Sequence, residues 1–171
     1  MLSKKGFTLM EVIIITLIIA ALALLVVPSF KNSALTNQVE KAKVGLIELT
    51  TAVKLYNEDH TVPMTGVLNV SNFDSLTQAG PSGYAYLLHG ERWAPRSGSN
   101  DYSLRDNNGV LNCQYIIGDS QDNNILASVK CKFNKIDEAG TLCYRFYIQR
   151  NNPALIKKQG PDSSEVTCDD L

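Results

Sequence analysis

A single acidic residue lies inside the most apolar stretch of the chain, close to its N-terminus. Residues 7–27 are apolar apart from Glu11 and two threonines. As a helix, these 21 residues are about 32 Å long, which is enough to cross the hydrocarbon core of a bilayer. Lys4 and Lys5 precede the stretch and predict that this end stays on the cytoplasmic side. Glu11 conflicts with a simple anchor, because an unpaired carboxylate inside a membrane helix costs about 2.5 kcal/mol or more.

Two ordinary interpretations of this stretch are a signal anchor and a cleaved secretory signal peptide. Ala21, Leu22 and Ala23 form a cleavage site of the A-x-A type after an apolar region with basic residues ahead of it. An acidic residue within the apolar region does not help a signal peptide. Both interpretations therefore leave Glu11 without a role.

The residues from 6 to 12 read G-F-T-L-M-E-V and lead into the apolar helix. This stretch resembles the N-terminus of type IV pilins and pseudopilins, whose G-F-T-L-x-E pattern it matches at every defining position. The resemblance implies that a prepilin peptidase cuts between Gly6 and Phe7 and methylates the new N-terminal Phe7. It places the family's conserved acid at Glu11 and its helix-kinking proline at Pro28. The specific resemblance covers about the first 30 residues.

The charges that cleavage would create suggest why an acid is kept here. A cut after Gly6 leaves a cationic amine on Phe7, about one helical turn from Glu11. Helix geometry makes their pairing awkward within one subunit, but Glu11 can meet the amine of a neighbour that is offset along the filament axis. Both charges are then compensated in surroundings of low dielectric constant. We therefore expect Glu11 and Phe7 to set the register of assembly.

Beyond Pro28 the apolar residues recur at alternating spacings of four and three, which predicts an amphipathic helix. The apolar stripe consists of Leu35, Val39, Ala42, Leu46, Leu49, Val53 and Tyr56. Pro63 bars continuation, so the helix should end near Asp59. One long helix over about 7–59 is therefore predicted, with Pro28 bending it or loosening one turn.

Three later runs, 110–117, 125–133 and 141–149, are rich in β-branched and aromatic residues. Short turn-rich loops join them, which predicts antiparallel hairpins and a meander whose one face covers the helical stripe. The expected fold is α+β and type IV pilin-like. In this fold a long N-terminal helix, with a membrane-spanning half and an amphipathic half, packs on a three- to four-stranded antiparallel β-meander.

The chain divides into six segments on this interpretation. They are a leader peptide at 1–6, a hydrophobic transmembrane or filament-core helix at 7–28, the amphipathic half at 29–59, a variable helix-to-sheet segment at 60–108, the sheet at 109–150 and a disulfide-bounded C-terminal loop at 151–171. The last segment is similar in position to the C-terminal loop of many pilins.

The four cysteines have no C-x-x-C spacing, and an even number in an exported domain predicts two disulfides. Hairpin pairing places Cys131 opposite both Cys113 and Cys143. We favour Cys113 with Cys131 and Cys143 with Cys168, because the second bond ties the tail to the sheet. Such a loop contributes about 3 kcal/mol. The alternative joins Cys131 to Cys143 and Cys113 to Cys168.

The sequence offers little support for catalysis or metal binding. His60 and His89 stand alone, and no hydrolase, zinc-protease or P-loop motif is present, so we expect neither an enzyme nor a cofactor. The oxygen-rich residues Asp119, Asp122, Asn123 and Asn124 do not have the spacing of a calcium loop. We interpret them as a solvated hairpin turn.

The arginines near aromatic residues raise the question of nucleic-acid binding. Arg92, Arg96 and Arg105 lie near Trp93 and Tyr102 in the sequence, with Glu91, Asp101 and Asp106 interspersed. The formal net charge is −1. We therefore predict a mixed, solvated surface and no direct reading of nucleic acid.

These observations predict a structural subunit of a type IV pilus that polymerises through its N-terminal helix into a surface filament serving adhesion, motility or DNA uptake. The alternatives are a pseudopilin of a type II secretion system and a singly membrane-anchored binding protein. The resemblance implies as partners other copies of the chain in a helical homopolymer, minor pilins, the prepilin peptidase, the inner-membrane assembly machinery and, before assembly, membrane lipid. It implies a precursor in the bacterial inner membrane and a product on the cell surface.

Overall fold

The computed structural model describes residues 8–78, 88–106, 109–118, 122–134, 141–160, 168 and 171, without the side chains of residues 23–34 and 106. The first element is the helix α1, Leu9–Asp59, which has 51 residues. The chain divides into two units, Met1–Thr36 and Asn37–Leu171. The helix begins in the first unit and ends in the second.

The described side chains of the first unit belong to the apolar beginning of α1. Within the described part of the chain, no helix is long and apolar enough to cross a membrane. The prediction of a membrane-spanning half is therefore wrong. The apolar helical stretch with described side chains, 9–22, is about 21 Å long. A bilayer core is about 30 Å thick. Pro28 lies in α1 among the side chains outside the description, so the kink expected there stays a prediction.

The described residues of the second unit form, besides the end of α1, a short helix, one 3-10 turn and eight strands. The helix α2 is Val70–Thr77, and the 3-10 turn is Gly90–Arg92. The strands are β1 Gly66–Val67, β2 Trp93–Pro95, β3 Tyr102–Asp106, β4 Gly109–Val110, β5 Cys113–Ile117, β6 Ile125–Asn134, β7 Thr141–Gln149 and β8 Asn152–Gln159. The side chain of Asn69 caps α2 by accepting a hydrogen bond of 3.0 Å from the N–H of Asn72.

The strands form two antiparallel sheets, with five strands in the order β1-β5-β6-β7-β8 and three in the order β2-β3-β4. The single meander of three or four strands predicted from the sequence is therefore wrong. Its three central runs do pair as β5, β6 and β7. The large sheet gains β1 at one edge and β8 at the other. The second of these occupies residues 152–159, which were expected to belong to the C-terminal loop.

The core of the second unit lies between α1 and one face of the five-stranded sheet. Four residues of the predicted helical stripe are completely buried: Ala42, Leu46, Leu49 and Val53. The opposing sheet face includes Tyr115 of β5 and Phe146 of β7, which are also buried. The Tyr115 hydroxyl donates to the Ala42 carbonyl at 3.2 Å. Alternation along β5 therefore directs its buried residues towards the helix.

Gly45 is a point of close approach between α1 and the two sheets. A Cβ atom at this position would lie 2.5 Å from Leu104 Cδ1 and 2.6 Å from Tyr115 Oη. Both distances are too short for unbonded heavy atoms, so the packing requires a residue without a side chain here. The glycine weakens the helix locally but permits this contact.

Replacing Gly45 by alanine should destabilise the protein by up to about 2 kcal/mol. The overpacking costs about 1–3 kcal/mol, and the better helix propensity of alanine returns about 1 kcal/mol. The measurement is urea unfolding of the full chain in detergent solution. In a Leu104→Val background, which removes Cδ1, the cost should shrink. An equal cost in both backgrounds would contradict the assigned cause.

Tyr115 should make the protein sensitive to alkali. Burial, with a smaller effect of nearby Glu48, raises the pKa of Tyr115 above its ordinary value of 10.0. The unfolded chain therefore ionises this phenol near pH 10, whereas the folded chain keeps it neutral. The stabilisation is complete below that pH and falls above it by up to about 1.4 kcal/mol per pH unit.

The comparison with Tyr115→Phe isolates this effect. The variant should lose about 1 kcal/mol through the missing hydrogen bond to Ala42, and it should lose less further stability between about pH 9 and about pH 11. Urea unfolding at several pH values measures both slopes. Identical slopes for the two proteins would exclude Tyr115 as the source of alkaline sensitivity.

Candidate functional site

The N-terminus of α1 is closed by a reciprocal set of hydrogen bonds between Thr8 and Glu11. The Thr8 N–H and hydroxyl donate to Glu11 Oε2 at 2.8 and 3.0 Å. In return, the Glu11 N–H donates to Thr8 Oγ1 at 3.3 Å. This is a capping box, which satisfies two backbone donors that the first turn of a helix leaves unpaired. These hydrogen bonds, the backbone one first, lower the pKa of Glu11 below its ordinary value.

The capping box changes the interpretation of Glu11. In the single chain its carboxylate has local partners, so assembly is not needed to give it a role. Sequence reasoning missed Thr8, although T-x-x-E before an apolar run is the signature of such a box. Gly6 and Phe7, where cleavage and methylation were predicted, lie outside the described residues.

The apolar side chains of α1 that follow the capping box are exposed around the whole helix. Leu9 is 81% exposed and Met10 is 71% exposed. The other large apolar side chains with high exposure in this stretch are Val12, Ile13, Ile14, Ile15, Leu17, Ile18, Ile19 and Leu22. A helix that is apolar on every side is normally buried. Exposed apolar surface of this extent marks an interaction site.

The chain forms the disulfides Cys113–Cys131 and Cys143–Cys168, which is the favoured one of the two pairings considered from the sequence. Cys113 and Cys131 lie directly opposite each other on β5 and β6. On the other side of β6, Cys131 lies opposite Tyr144 of β7, whereas the sequence predicted that it lies opposite Cys143. A shift of one residue turns the Cys143 side chain to the other sheet face, which explains why Cys131 and Cys143 do not pair.

Glu48 joins α1 to the segment before β2. Its side chain is only 10% exposed, and its Oε1 accepts hydrogen bonds from the His89 N–H at 2.9 Å and from Trp93 Nε1 at 3.3 Å. Arg92 Nη1 lies 3.1 Å from Glu48 Oε2 and forms an ion pair with it. The arrangement holds a buried carboxylate between an indole, a backbone amide and a cation. Such pairing is what a charge in this position requires.

The mixed, solvated surface predicted around the arginines is therefore wrong in part. Trp93 is 2% exposed and Arg96 is 9% exposed, whereas Arg105 is exposed. Arg92 is exposed but forms an ion pair with Glu48 of α1. The sequence could not show this, because Glu48 lies more than 40 residues away from its partners.

Three of the other polar residues considered from the sequence, Asp122, His60 and His89, have partners within the described part of the chain. Asp122 accepts a hydrogen bond of 2.9 Å from the N–H of Asn124 and so forms a turn before β6. Asp119 lies outside the described residues. The His60 ring stacks on Tyr56 with its centroid 3.9 Å away, while His89 lies beside Glu48. The structure does not bring the two histidines together.

The assembly segment of α1, defined as residues 8–22, is the candidate functional site. It combines the capped charge of Glu11 with an exposed apolar helix, and it belongs to the first unit, whereas both disulfides belong to the second. Comparison of the chain with protein-family models, with curated proteins and with solved structures found no match.

Proposed function

We propose that this chain is a type IV pilin that polymerises through its N-terminal helix into a filament on the cell surface. The observation that carries the proposal is the exposed apolar surface of the assembly segment. Many copies of such a helix, packed side by side, would cover each other's apolar surface. Each large apolar side chain removed from water contributes about 1.5–3 kcal/mol.

The capping box supports a specific sequence of events. In the unassembled chain, Thr8 holds the Glu11 carboxylate at the helix terminus. Cleavage after Gly6 places a cationic amine one turn away on the same chain. In the filament, the amine of a neighbouring Phe7 competes for the carboxylate. A cationic amine adds the attraction of a second full charge, which the neutral donors of Thr8 do not supply, so the exchange favours assembly.

The second unit serves as the head that the filament displays. Two disulfides hold this α+β head together, and so does the ion pair between Glu48 of α1 and Arg92. Disulfides persist in oxidising compartments outside the cytoplasm. We propose that the head faces the surroundings of the cell and carries the contacts that serve adhesion, motility or DNA uptake.

The test is the N-terminal sequence and intact mass of the protein sheared from the surface of the native cells. The proposal expects a chain that begins at N-methyl-Phe7 and lacks four hydrogens relative to its reduced form. A Gly6→Val variant, which blocks the cut, should be missing from this fraction. A start at Leu24 would overturn the proposal and indicate an ordinary signal peptide. Uncut protein that stays with the cells would overturn it as well.

A further inference from the structure

A polar cavity lies beside the turn that joins β2 to β3. Its volume is about 780 Å³, which is within the range of about 300–1,000 Å³ found for small-molecule sites. The polar residues that line it are Arg96, Ser97, Ser99, Asp101, Asn112 and Gln114. Pro95, Val110 and Leu171 supply apolar surface. The cavity belongs to the head and lies outside the assembly segment.

Arg96 is the unusual member of this lining. The residue is 9% exposed, yet its Nε and Nη1 atoms are buried without a hydrogen-bond partner among the residues that the structure describes. Nη2 has a charged neighbour, Asp101 Oδ2 at 3.4 Å. A buried guanidinium normally has its donors satisfied, and each unpaired donor is costly. The Arg96 guanidinium therefore lies at this cavity with donors that no described residue accepts from.

Several hydrogen bonds hold the residues around Arg96 in place. The Arg96 N–H donates to the Asp101 carbonyl at 2.7 Å, and the Asp101 N–H donates to Ser99 Oγ at 3.0 Å. Gln114 Nε2 donates to Asp101 Oδ2 at 3.1 Å. These bonds fix the turn and the carboxylate, whereas the contact of 3.4 Å holds the guanidinium only weakly. Arg96 lines the cavity, so an acceptor group bound in the cavity lies beside this guanidinium.

We propose that this cavity binds a small hydroxylated molecule that carries one carboxylate, such as a hexuronic acid. Arginine has donors only, so its unpaired atoms require an acceptor, and a carboxylate is the best match for a guanidinium. A doubly charged phosphate would be repelled by Asp101 more strongly than a single carboxylate. The hydroxyls of Ser97 and Ser99 and the amides of Asn112 and Gln114 both donate and accept, which suits sugar hydroxyls.

This site does not depend on the proposed function. It uses residues of the head alone and requires neither cleavage after Gly6 nor polymerisation. A chain that never forms filaments would still bind the acid, and a filament subunit without this binding would still assemble. The two proposals therefore fail separately.

The first test is NMR titration of the full chain in detergent micelles with D-glucuronate, using D-glucose as the neutral control. At millimolar concentrations, D-glucuronate should shift the Arg96 Nε–H signal and the amide signals of Ser97 and Ser99 in a saturable way. D-Glucose should not. No saturable shift with D-glucuronate, or an equal response to both sugars, would overturn the proposal.

The second test uses two substitutions that each remove one cation. Arg96→Met should weaken D-glucuronate binding at least tenfold, since it removes the charged donor. Arg105→Met removes an exposed arginine of β3 and should leave binding unchanged. If Arg96→Met fails to fold, Asn112→Ala provides the second measurement, because this exposed residue lines the cavity and its loss should still weaken binding. Unchanged binding in a folded Arg96→Met, or in Asn112→Ala, would overturn the proposal.

Discussion

Replacing Glu11 by glutamine is expected to prevent filament formation, while replacing Thr8 by valine is expected to leave filaments in place. The two variants separate the two roles that the structure allows for Glu11. Glutamine is accepted in a capping box, so Glu11→Gln retains the cap but removes the charge. Valine has the shape of threonine without its hydroxyl, so Thr8→Val weakens the cap but retains the charge.

The two variants should differ because the contact between Glu11 and the amine of a neighbouring subunit exists only in the filament. Loss of one charge-assisted contact per subunit weakens each association step by about tenfold or more, and a filament multiplies this loss along its length. Loss of the cap, in contrast, removes hydrogen bonds that the amine replaces in the filament, so it does not weaken assembly. Only the charge should therefore decide the yield of filaments.

The measurement is electron microscopy and immunoblotting of the sheared surface fraction. The N-terminal sequence must be checked in each variant, since a defect in cleavage would imitate a defect in assembly. Filaments from Glu11→Gln together with none from Thr8→Val would show that capping, not charge, is the essential role. Normal filaments from both variants would remove Glu11 from the mechanism.

The same hydrogen bonds make a prediction about pH. Because the pKa of Glu11 is lowered in the capped helix, the cap contributes stability above the ordinary pKa of 4.5 and loses it as the pH falls through the lowered value. The carboxylate is therefore charged at neutral pH. Any amine that takes it from Thr8 meets an ionised group.

The local patterns of the sequence were sufficient to predict the central sheet but not its edges. The runs that became β5, β6 and β7 are rich in β-branched and aromatic residues and are separated by turn residues, so hairpin pairing followed directly. Strand β8 contains Pro153 and two consecutive lysines, Lys157 and Lys158, which are typical of an edge strand and weaken the pattern. Strands of two or three residues, such as β1 and β2, leave no periodicity to detect.

The contacts that depend on distant parts of the chain could not be predicted. Gly45 reads as a weak point of a helix until Leu104 and Tyr115 are placed against it. Glu48 reads as one of the polar residues between the stripe positions until the segment around Trp93 folds over it. The capping box, in contrast, could have been predicted, because its T-x-x-E signature is present in the sequence.

Removing the Cys113–Cys131 bond by a double substitution to alanine is expected to destabilise the protein by about 4 kcal/mol. The bond closes a segment with a sequence separation of 18, which contributes about 3 kcal/mol through the entropy of the unfolded chain. Both cysteines are completely buried, so the lost sulfur atoms leave a cavity that costs about 1 kcal/mol more.

The Cys143–Cys168 bond provides the matched comparison. Its sequence separation is 25, so the entropic contribution is again about 3 kcal/mol. Cys143 is only half-buried, which makes the loss of packing smaller. Cys168 is buried, so some packing is still lost, and substituting this pair by alanine should cost between about 3 and about 4 kcal/mol, less than substituting the buried pair. Thermal unfolding of the full chain should show the same order, with a shift of about 2–4 °C in Tm for each kcal/mol.

The order of the two variants tests how the head is built. If the bond between β5 and β6 belongs to the core under α1, its removal must cost more than removal of the bond to the tail, although the tail bond closes the longer segment. Loop entropy alone would give the opposite order. A larger loss in the Cys143–Cys168 variant would therefore mean that fixing the tail, not filling the core, is the main contribution of the disulfides.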